Sequence, residues 1–435
     1  MLALFDAYDD ATRELMRSLE TAGIPFTPVV IHYDGELPVG ALNPFAAYTG
    51  LQRSGDPLFF NEVPVPPWCE IRQGKEVYAE ILRDGFTIGR IHYEANSFRQ
   101  VDSVDWLLPN GTPGHTDRYD RYGNRYATTH YADGVAYQTV YRGPGEWEIE
   151  LDHIARVVTM QSLSARWVFD TLTDFVSFFL DDFGIADDRV VINSLSYPLF
   201  VMRKRAAAPG TTLFWQEPIR GDLPGNMVLE LEEPRALQRI VFFDERLPRE
   251  IAARHPETAL EVTYLSHLGQ FADKRGYDLR RAFILTNSDE IPGLAELLDA
   301  FPSVTFSVAA PTMMSDRLTD LARRHANLTL TPTINHRGIR AELDAASVYL
   351  DINAGSQVLD VVKAAYHLDL VVLALAPHAK APAHSLVRAT SDELAILLSR
   401  AIASEEDRAR VLDELHRQHG PLSTPDDYVR LLGRD

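Results

Sequence analysis

Apolar residues recur at helical spacing through the first stretch of the chain, at Leu4, Phe5, Tyr8, Leu15, Met16 and Leu19, and the pattern stops at Gly23 and Pro25, a C-cap and a breaker. The spacing predicts that the chain opens with a helix. "FTPVVIHYD" (Phe26–Asp34) then reads as a strand, without the glycine-rich loop that usually follows the first strand of a nucleotide-binding half. From about Pro57 to about Met160 the pattern changes to short apolar–polar alternations rich in Val, Ile, Tyr, Trp and Thr. They are punctuated by Asp84-Gly85, Asn110-Gly111 and Asp133-Gly134. This predicts an antiparallel meander of hairpins, which does not fit inside a parallel sheet and must project from one.

Beyond the meander, "SARWVFDTLTDFVSFFLDDFGI" (Ser164–Ile185) reads as an amphipathic helix. "RVVINSL" (Arg189–Leu195), "TTLFWQEP" (Thr211–Pro218) and "LQRIVFFDE" (Leu237–Glu245) read as buried strands. A second strand–helix series starts at "RAFILTN" (Arg281–Asn287). It passes through "YLDINAGSQVLDVVKAAYHLDLVVLALA" (Tyr349–Ala376) and ends near "SDELAILLSRAIAS" (Ser391–Ser404). The expected fold class is α/β: two Rossmann-type halves with an extended antiparallel β-sheet domain inserted in the first. The expected spans are 1–56 and 161–240 for the first half, 57–160 for the insertion and 241–435 for the second half.

Composition narrows the function. The 435 residues are 46% hydrophobic, enough for two or three cores. A formal charge of -20 disfavours nucleic acid and anionic lipid as principal partners, and Arg203, Lys204 and Arg205 read as a solvated edge. One cysteine, Cys69, allows no internal disulfide and has no evident histidine partner for nucleophilic work. Asp6, Asp9 and Asp10 stand where a signal peptide would be basic, and no apolar run reaches the roughly 20 residues of a membrane span. A soluble cytoplasmic protein is expected.

Polar residues at predicted strand ends are the candidates for chemistry. Trp215, Gln216 and Glu217 follow one strand, and Asn193, Ser194 and Ser196 follow another. Each group reads either as a ligand site or as packing and capping. His115, Asp117, Asp120 and His130 could chelate a cation on paper, but their alternation along a hairpin fits cross-strand pairs on a wet face. Asp181 and Asp182 read as solvated, and Met313 and Met314 as packing at a helix start.

The element order of the second half resembles the donor-binding domain of retaining GT-B glycosyltransferases. Together with "LFDAY" (Leu4–Tyr8), "PLFFNEVPVP" (Pro57–Pro66), "LFWQEPI" (Leu213–Ile219), "PGNM" (Pro224–Met227), "ILTNSDEI" (Ile284–Ile291) and "YLDIN" (Tyr349–Asn353), it makes the chain similar to the GtfB family of glycosyltransferase-stabilising proteins of accessory Sec systems. The resemblance implies a non-catalytic subunit with no cofactor and no metal. Its partners would be a catalytic GtfA-like transferase and a serine-rich repeat polypeptide, which receives O-linked GlcNAc. A hetero-oligomer in the cytoplasm is expected, with weak peripheral attachment to the inner face of the membrane left open.

Catalytic members of this fold neutralise the donor diphosphate with basic residues and use two glutamates near the following strand–helix turn. Here the first region offers neutral Asn287 and Ser288 with acidic Asp289 and Glu290, and the glutamate positions align on Gly355 and Lys363. Lys363 reads as an exposed helix lysine, with phosphate holding as the other option. The alternative function is an active GT-B transferase with a rebuilt donor site, which would need a cation such as Lys274, Arg275, Arg280 or Arg337. Trp215, Gln216, Glu217, Asn193 and Ser194 are the acceptor-binding candidates.

Overall fold

A computed structural model describes residues 1–433 except 75–77, 95, 96, 98, 187, 206–209, 218, 220 and 269–275. The chain forms two compact units, Met1–His267 with Ser423–Asp435, and Leu268–Leu422.

The first unit begins with β1 (Leu2–Phe5), α1 (Asp10–Thr21), β2 (Thr27–Val30) and α2 (Pro44–Thr49). Ten strands follow: β3 (Cys69–Gln73), β4 (Tyr78–Arg83), β5 (Phe86–Tyr93), β6 (Val101–Leu107), β7 (Pro113–Tyr119), β8 (Arg125–Ala132), β9 (Val135–Tyr141), β10 (Glu148–Asp152), β11 (Val158–Gln161) and β12 (Arg166–Phe169). They form one sheet in sequence order, antiparallel throughout. The Asp-Gly pairs make the tight turns foreseen for them, with φ of 51° and 81° at Asp84-Gly85 and 51° and 76° at Asp133-Gly134.

The chain then resumes the parallel sheet with α3 (Leu172–Asp182), β13 (Val190–Ile192), α4 (Tyr197–Lys204), β14 (Thr211–Trp215), α5 (Gly225–Glu232), β15 (Leu237–Phe242), α6 (Arg246–Arg254) and β16 (Glu261–Tyr264). The strand order is β16-β15-β14-β13-β1-β2, all parallel. β1, β13 and β14 are buried along their whole length, as strands covered by helices on both faces must be.

One core joins this sheet to the meander. Ile149, Val158 and Met160 of the hairpins are buried with Phe175, Phe179 and Phe242, and Phe45 stacks on Tyr141 with ring centroids 4.1 Å apart. Gly50, at φ 67°, ends α2, and a Cβ there would lie 2.9 Å from the Gly145 Cα, so the loop between β9 and β10 can approach only a glycine. At the other end of the meander Val63 closes a second small core over Ala79, Ile81, Ile91 and Val104.

The second unit contains β17 (Asp278–Leu285), α7 (Leu294–Ala300), β18 (Thr305–Ala309), α8 (Asp316–Arg324), β19 (Leu328–Thr331), α9 (His336–Ala345), β20 (Ala346–Asp351), α10 (Val361–His367), β21 (Val371–Leu375), β22 (Leu386–Arg388), α11 (Ser391–Ala401) and α12 (Glu405–His416). Its parallel order is β19-β18-β17-β20-β21-β22, the doubly wound arrangement. A final helix, α13 (Pro425–Leu432), belongs to the first unit. There Tyr428 is fully buried beside Phe214 and donates to the Ser266 carbonyl at 2.9 Å.

Three expectations need correcting. The chain opens with a strand, because Leu2–Phe5 is a fully buried apolar run whose last residues also fit the helical spacing that begins at α1. Arg166–Phe169 is the edge strand β12 rather than the first turn of a helix, and α3 starts only after the Thr171 N-cap. The change of halves does not fall at 240–241: the first sheet continues through β15 and β16 before the chain crosses over. Nothing in local periodicity separates a last strand of one parallel sheet from a first strand of the next.

Candidate functional site

In an open parallel sheet, ligands bind beyond the carboxyl ends of the strands where the order reverses. In the second unit that place lies between β17 and β20. Thr286 follows β17, and its hydroxyl donates to the Ser288 carbonyl at 2.7 Å and accepts from the Ser288 N–H at 3.0 Å, curling the loop back on itself. The Asn287 amide donates to the Ser356 hydroxyl at 2.6 Å, and the Ala354 N–H donates to the Glu290 carbonyl at 2.9 Å. Two residues past the end of β20, Asn353 donates to the Leu285 carbonyl at 3.2 Å. The loops after β17 and β20 are therefore stitched together across the switch point.

Gly355 is part of that closure. A Cβ at this position would stand 2.0 Å from Asn287 Oδ1 and 2.9 Å from Ser288 Cβ. The space a longer side chain would need at this position is filled by Asn287 and Ser288. Lys363, on α10, is 19% exposed rather than an exposed helix lysine, with Nζ 4.0 Å from Asp360 Oδ2. Its neighbours Val361, Val362 and Ala365 bury α10, so most of the Lys363 side chain leaves water with them.

A cation at the end of β20 is one that sequence reasoning missed. The backbone N–H of Lys380 donates to Asp351 Oδ2 at 2.6 Å, its ammonium lies 3.3 Å from Asp351 Oδ1, and the same ammonium donates to the Asn353 carbonyl. Lys380 and Asp351 are 10% and 1% exposed. Burial holds the Asp351 carboxyl above its ordinary range in spite of the lysine. The visible signal was a lysine just past the apolar strand Val371–Leu375, but its partner is 29 positions away.

Of the cations that could rebuild a donor site, Lys274 and Arg275 lie outside the described residues. Arg280 is exposed in the opening half of β17, about 16 Å of strand from its carboxyl end. Arg337 is exposed on the first turn of α9.

In the first unit the corresponding place lies between β1 and β13. Asn193, 7% exposed, accepts from the Asp6 N–H at 2.9 Å and donates to the Thr12 hydroxyl at 2.8 Å, and that hydroxyl donates to the Ala7 carbonyl at 3.0 Å. Gln216 donates to the Ala11 carbonyl at 2.6 Å. Both amides thus hold the first turn of α1 against the sheet. Trp215 is 4% exposed within the core, and its indole N–H has no hydrogen-bond partner among the described residues. Ser194 accepts from the Ser196 N–H at 3.1 Å just before α4, and Glu217 is exposed. Asn193, Ser194 and Gln216 therefore share one corner of the fold.

A pair absent from the sequence reading stands at the rim of that corner. His32, two residues past β2, brings Nδ1 to 3.1 Å from both the carbonyl and Oδ1 of Asp6. Its ring meets Tyr197 edge-on with centroids 5.2 Å apart. Burial lowers the imidazole pKa, but hydrogen bonding and charge from Asp6 outweigh it, and the result is a pKa above the usual value.

On the meander, His115 and His130 face each other directly across β7 and β8. Asp117 is taken up by Trp106 at 3.0 Å, Thr128 at 2.7 Å and Arg125 at 3.3 Å, while Asp120 caps the turn at Tyr122 and Asn124. The four groups do not converge on a common point. Asp181 and Asp182 pair with Arg205 at 2.8 Å and the Tyr48 hydroxyl at 2.9 Å.

Comparison with solved structures defines the class first. The pneumococcal O-GlcNAc transferase GtfA, solved with UDP and GlcNAc, matches over 99% of this chain and 96% of its own with a TM-score of 0.55 at 10% identity, a likeness of fold alone. The protein has a GT-B-like fold. A chain in the crystal structure of a GtfA/B complex bound to UDP and GlcNAc matches far better, with a TM-score of 0.90 and 30% identity over 99% of both chains. Four family models match in order: the GtfB N-terminal domain at 2–48, middle domain at 69–170 and third domain at 172–248, and the GftB/GlyA-F C-terminal domain at 282–418. The Streptococcus gordonii UDP-N-acetylglucosamine–peptide N-acetylglucosaminyltransferase stabilizing protein GtfB is 33% identical over 99% of both chains. The chain belongs to the GtfB family.

Proposed function

We propose that this protein is the non-catalytic subunit of a protein O-GlcNAc transferase, which steadies a GtfA-like catalytic partner and holds a serine-rich acceptor polypeptide, the precursor of a repeat adhesin, in the cytoplasm. The observation that carries the reading is the closed switch point of the second unit. A departing diphosphate gains charge as the glycosidic bond breaks and needs cations placed in advance. Here the loop that would meet it presents Asn287, Ser288, Asp289 and Glu290, and the one buried ammonium described at the end of β20 is neutralised by Asp351. The full-length similarity to a stabilising protein supports the same conclusion.

Calorimetric titration of the isolated chain with UDP-GlcNAc tests it: no saturable heat is expected up to about 1 mM, a range in which a working transferase binds its donor. Saturable binding together with sugar transfer by the chain alone would establish the rebuilt-transferase reading instead. Co-expression with the cognate partner is expected to raise that partner's soluble yield and its activity on a serine-rich polypeptide.

A further inference from the structure

We infer that Asp6 and His32, with Tyr197 beside them, form the contact through which the first unit grips hydroxyl groups of the acceptor. The inference rests on the acceptor-binding reading above and gives it residues. Three features of the corner support it. The pair stands at the carboxyl ends of β1 and β2, next to the reversal of strand order where a ligand site belongs. Its neighbours are already committed: Asn193 to Asp6 and Thr12, and Gln216 to Ala11, so the polar groups behind the pair act as a rigid backing.

His32 itself is only half committed. With Nδ1 directed at two oxygens of Asp6, the imidazole proton belongs on Nδ1, and Nε2 has no partner among the described residues, with the side chain 44% exposed. Such a nitrogen accepts from a hydroxyl when the ring is neutral and donates to one when it is charged. A hydroxyl can answer both states, whereas an anion would meet the carboxylate of Asp6 at the same point. The Tyr197 ring offers an apolar wall to the carbons that carry the hydroxyl.

Fluorescence anisotropy with a labelled 20-residue peptide of alternating Ser and Ala, titrated with the full chain, tests the assignment. H32F keeps the ring packing on Tyr197 and removes the nitrogen. It is expected to raise Kd about tenfold, the worth of one good hydrogen bond, with an unchanged melting temperature. H32Q, whose amide can still meet a hydroxyl, is expected to recover most of the loss. In the reconstituted transferase complex H32F should raise KM for the polypeptide and leave kcat unchanged. If the wild-type chain binds the peptide and H32F binds it equally well, or H32Q is as weak as H32F, the assignment is wrong while the acceptor role stands. If the wild-type chain does not bind the peptide at all, the acceptor role falls and the assignment with it.

Discussion

Each parallel sheet reverses its strand order beside its first strand, and the two reversals are finished differently. In the first unit Asn193 and Gln216 reach inward to the start of α1, leaving the Asp6–His32 pair at the rim with one nitrogen to offer. In the second unit the polar groups bridge the opening itself, Asn287 to Ser356 and Ala354 to Glu290, while Lys380, from beyond β21, neutralises Asp351 at the end of β20. The same topology can therefore leave a polar pair at its rim or be sewn shut across its mouth. Strand order does not decide between them; the residues immediately after the strands do.

Breaking the Lys380–Asp351 pair beside the closed mouth of the second unit gives the largest expected effect. Lys380→Met leaves Asp351 buried without its counter-charge and should cost about 3–5 kcal/mol in the unfolding transition of that unit, measured by denaturant titration. The double variant K380M/D351L should recover a large part of the loss, because it removes both charges together. The corresponding H32F change in the first unit, half exposed, should leave its transition within about 0.5 kcal/mol.

Acid should separate the units next. His416 on α12 is 11% exposed, and burial holds its pKa down to about 4. Between that value and the ordinary 6.5 an unfolded chain takes up a proton that the folded one refuses. Stability present above pH 6.5 is therefore lost as the pH falls toward 4, up to about 3 kcal/mol. His32 has the opposite sign. Its raised pKa adds stability that is present below 6.5 and disappears as the pH rises through the folded value. Hydrogen exchange followed from pH 7 to 5 should show the second unit loosening first, and H416F should flatten that dependence.

A smaller loss than either of these probes Gly355. G355A should cost about 1–3 kcal/mol, since the new methyl meets the Asn287 carboxamide. In an N287A background the cost should fall by more than half. Equal costs in both backgrounds would show that Asn287 is not what fills the position.

Much of this architecture was legible in the chain. The alternating hairpins and their Asp-Gly turns are local signals, and the strand–helix order from β17 to β20 follows from apolar runs of the right length. Local pattern also misled: β1 is only four residues, all apolar, and merges with the helical spacing of α1, while "RWVF" reads equally as strand or helix start. The candidate residues were read one by one, yet their roles are set by partners far away in sequence. Asn193 answers to Asp6 across 187 positions and Gln216 to Ala11 across 205, which no spacing rule reveals. Lys363 was given to solvent because lysines on helices usually stay exposed, yet its side chain is 19% exposed.

Tyr428 completes the interior of the unit to which Leu2–Phe5 also belong, and Arg189 and Arg239 hold the carbonyls of Leu432 and Leu431 at 2.7 and 2.9 Å. On the ribosome, the unit whose first strand emerges earliest must wait for these late residues, while the one made in between can settle first. The half of the molecule assigned to hold a flexible client is thus the half that stays unfinished longest during its own synthesis.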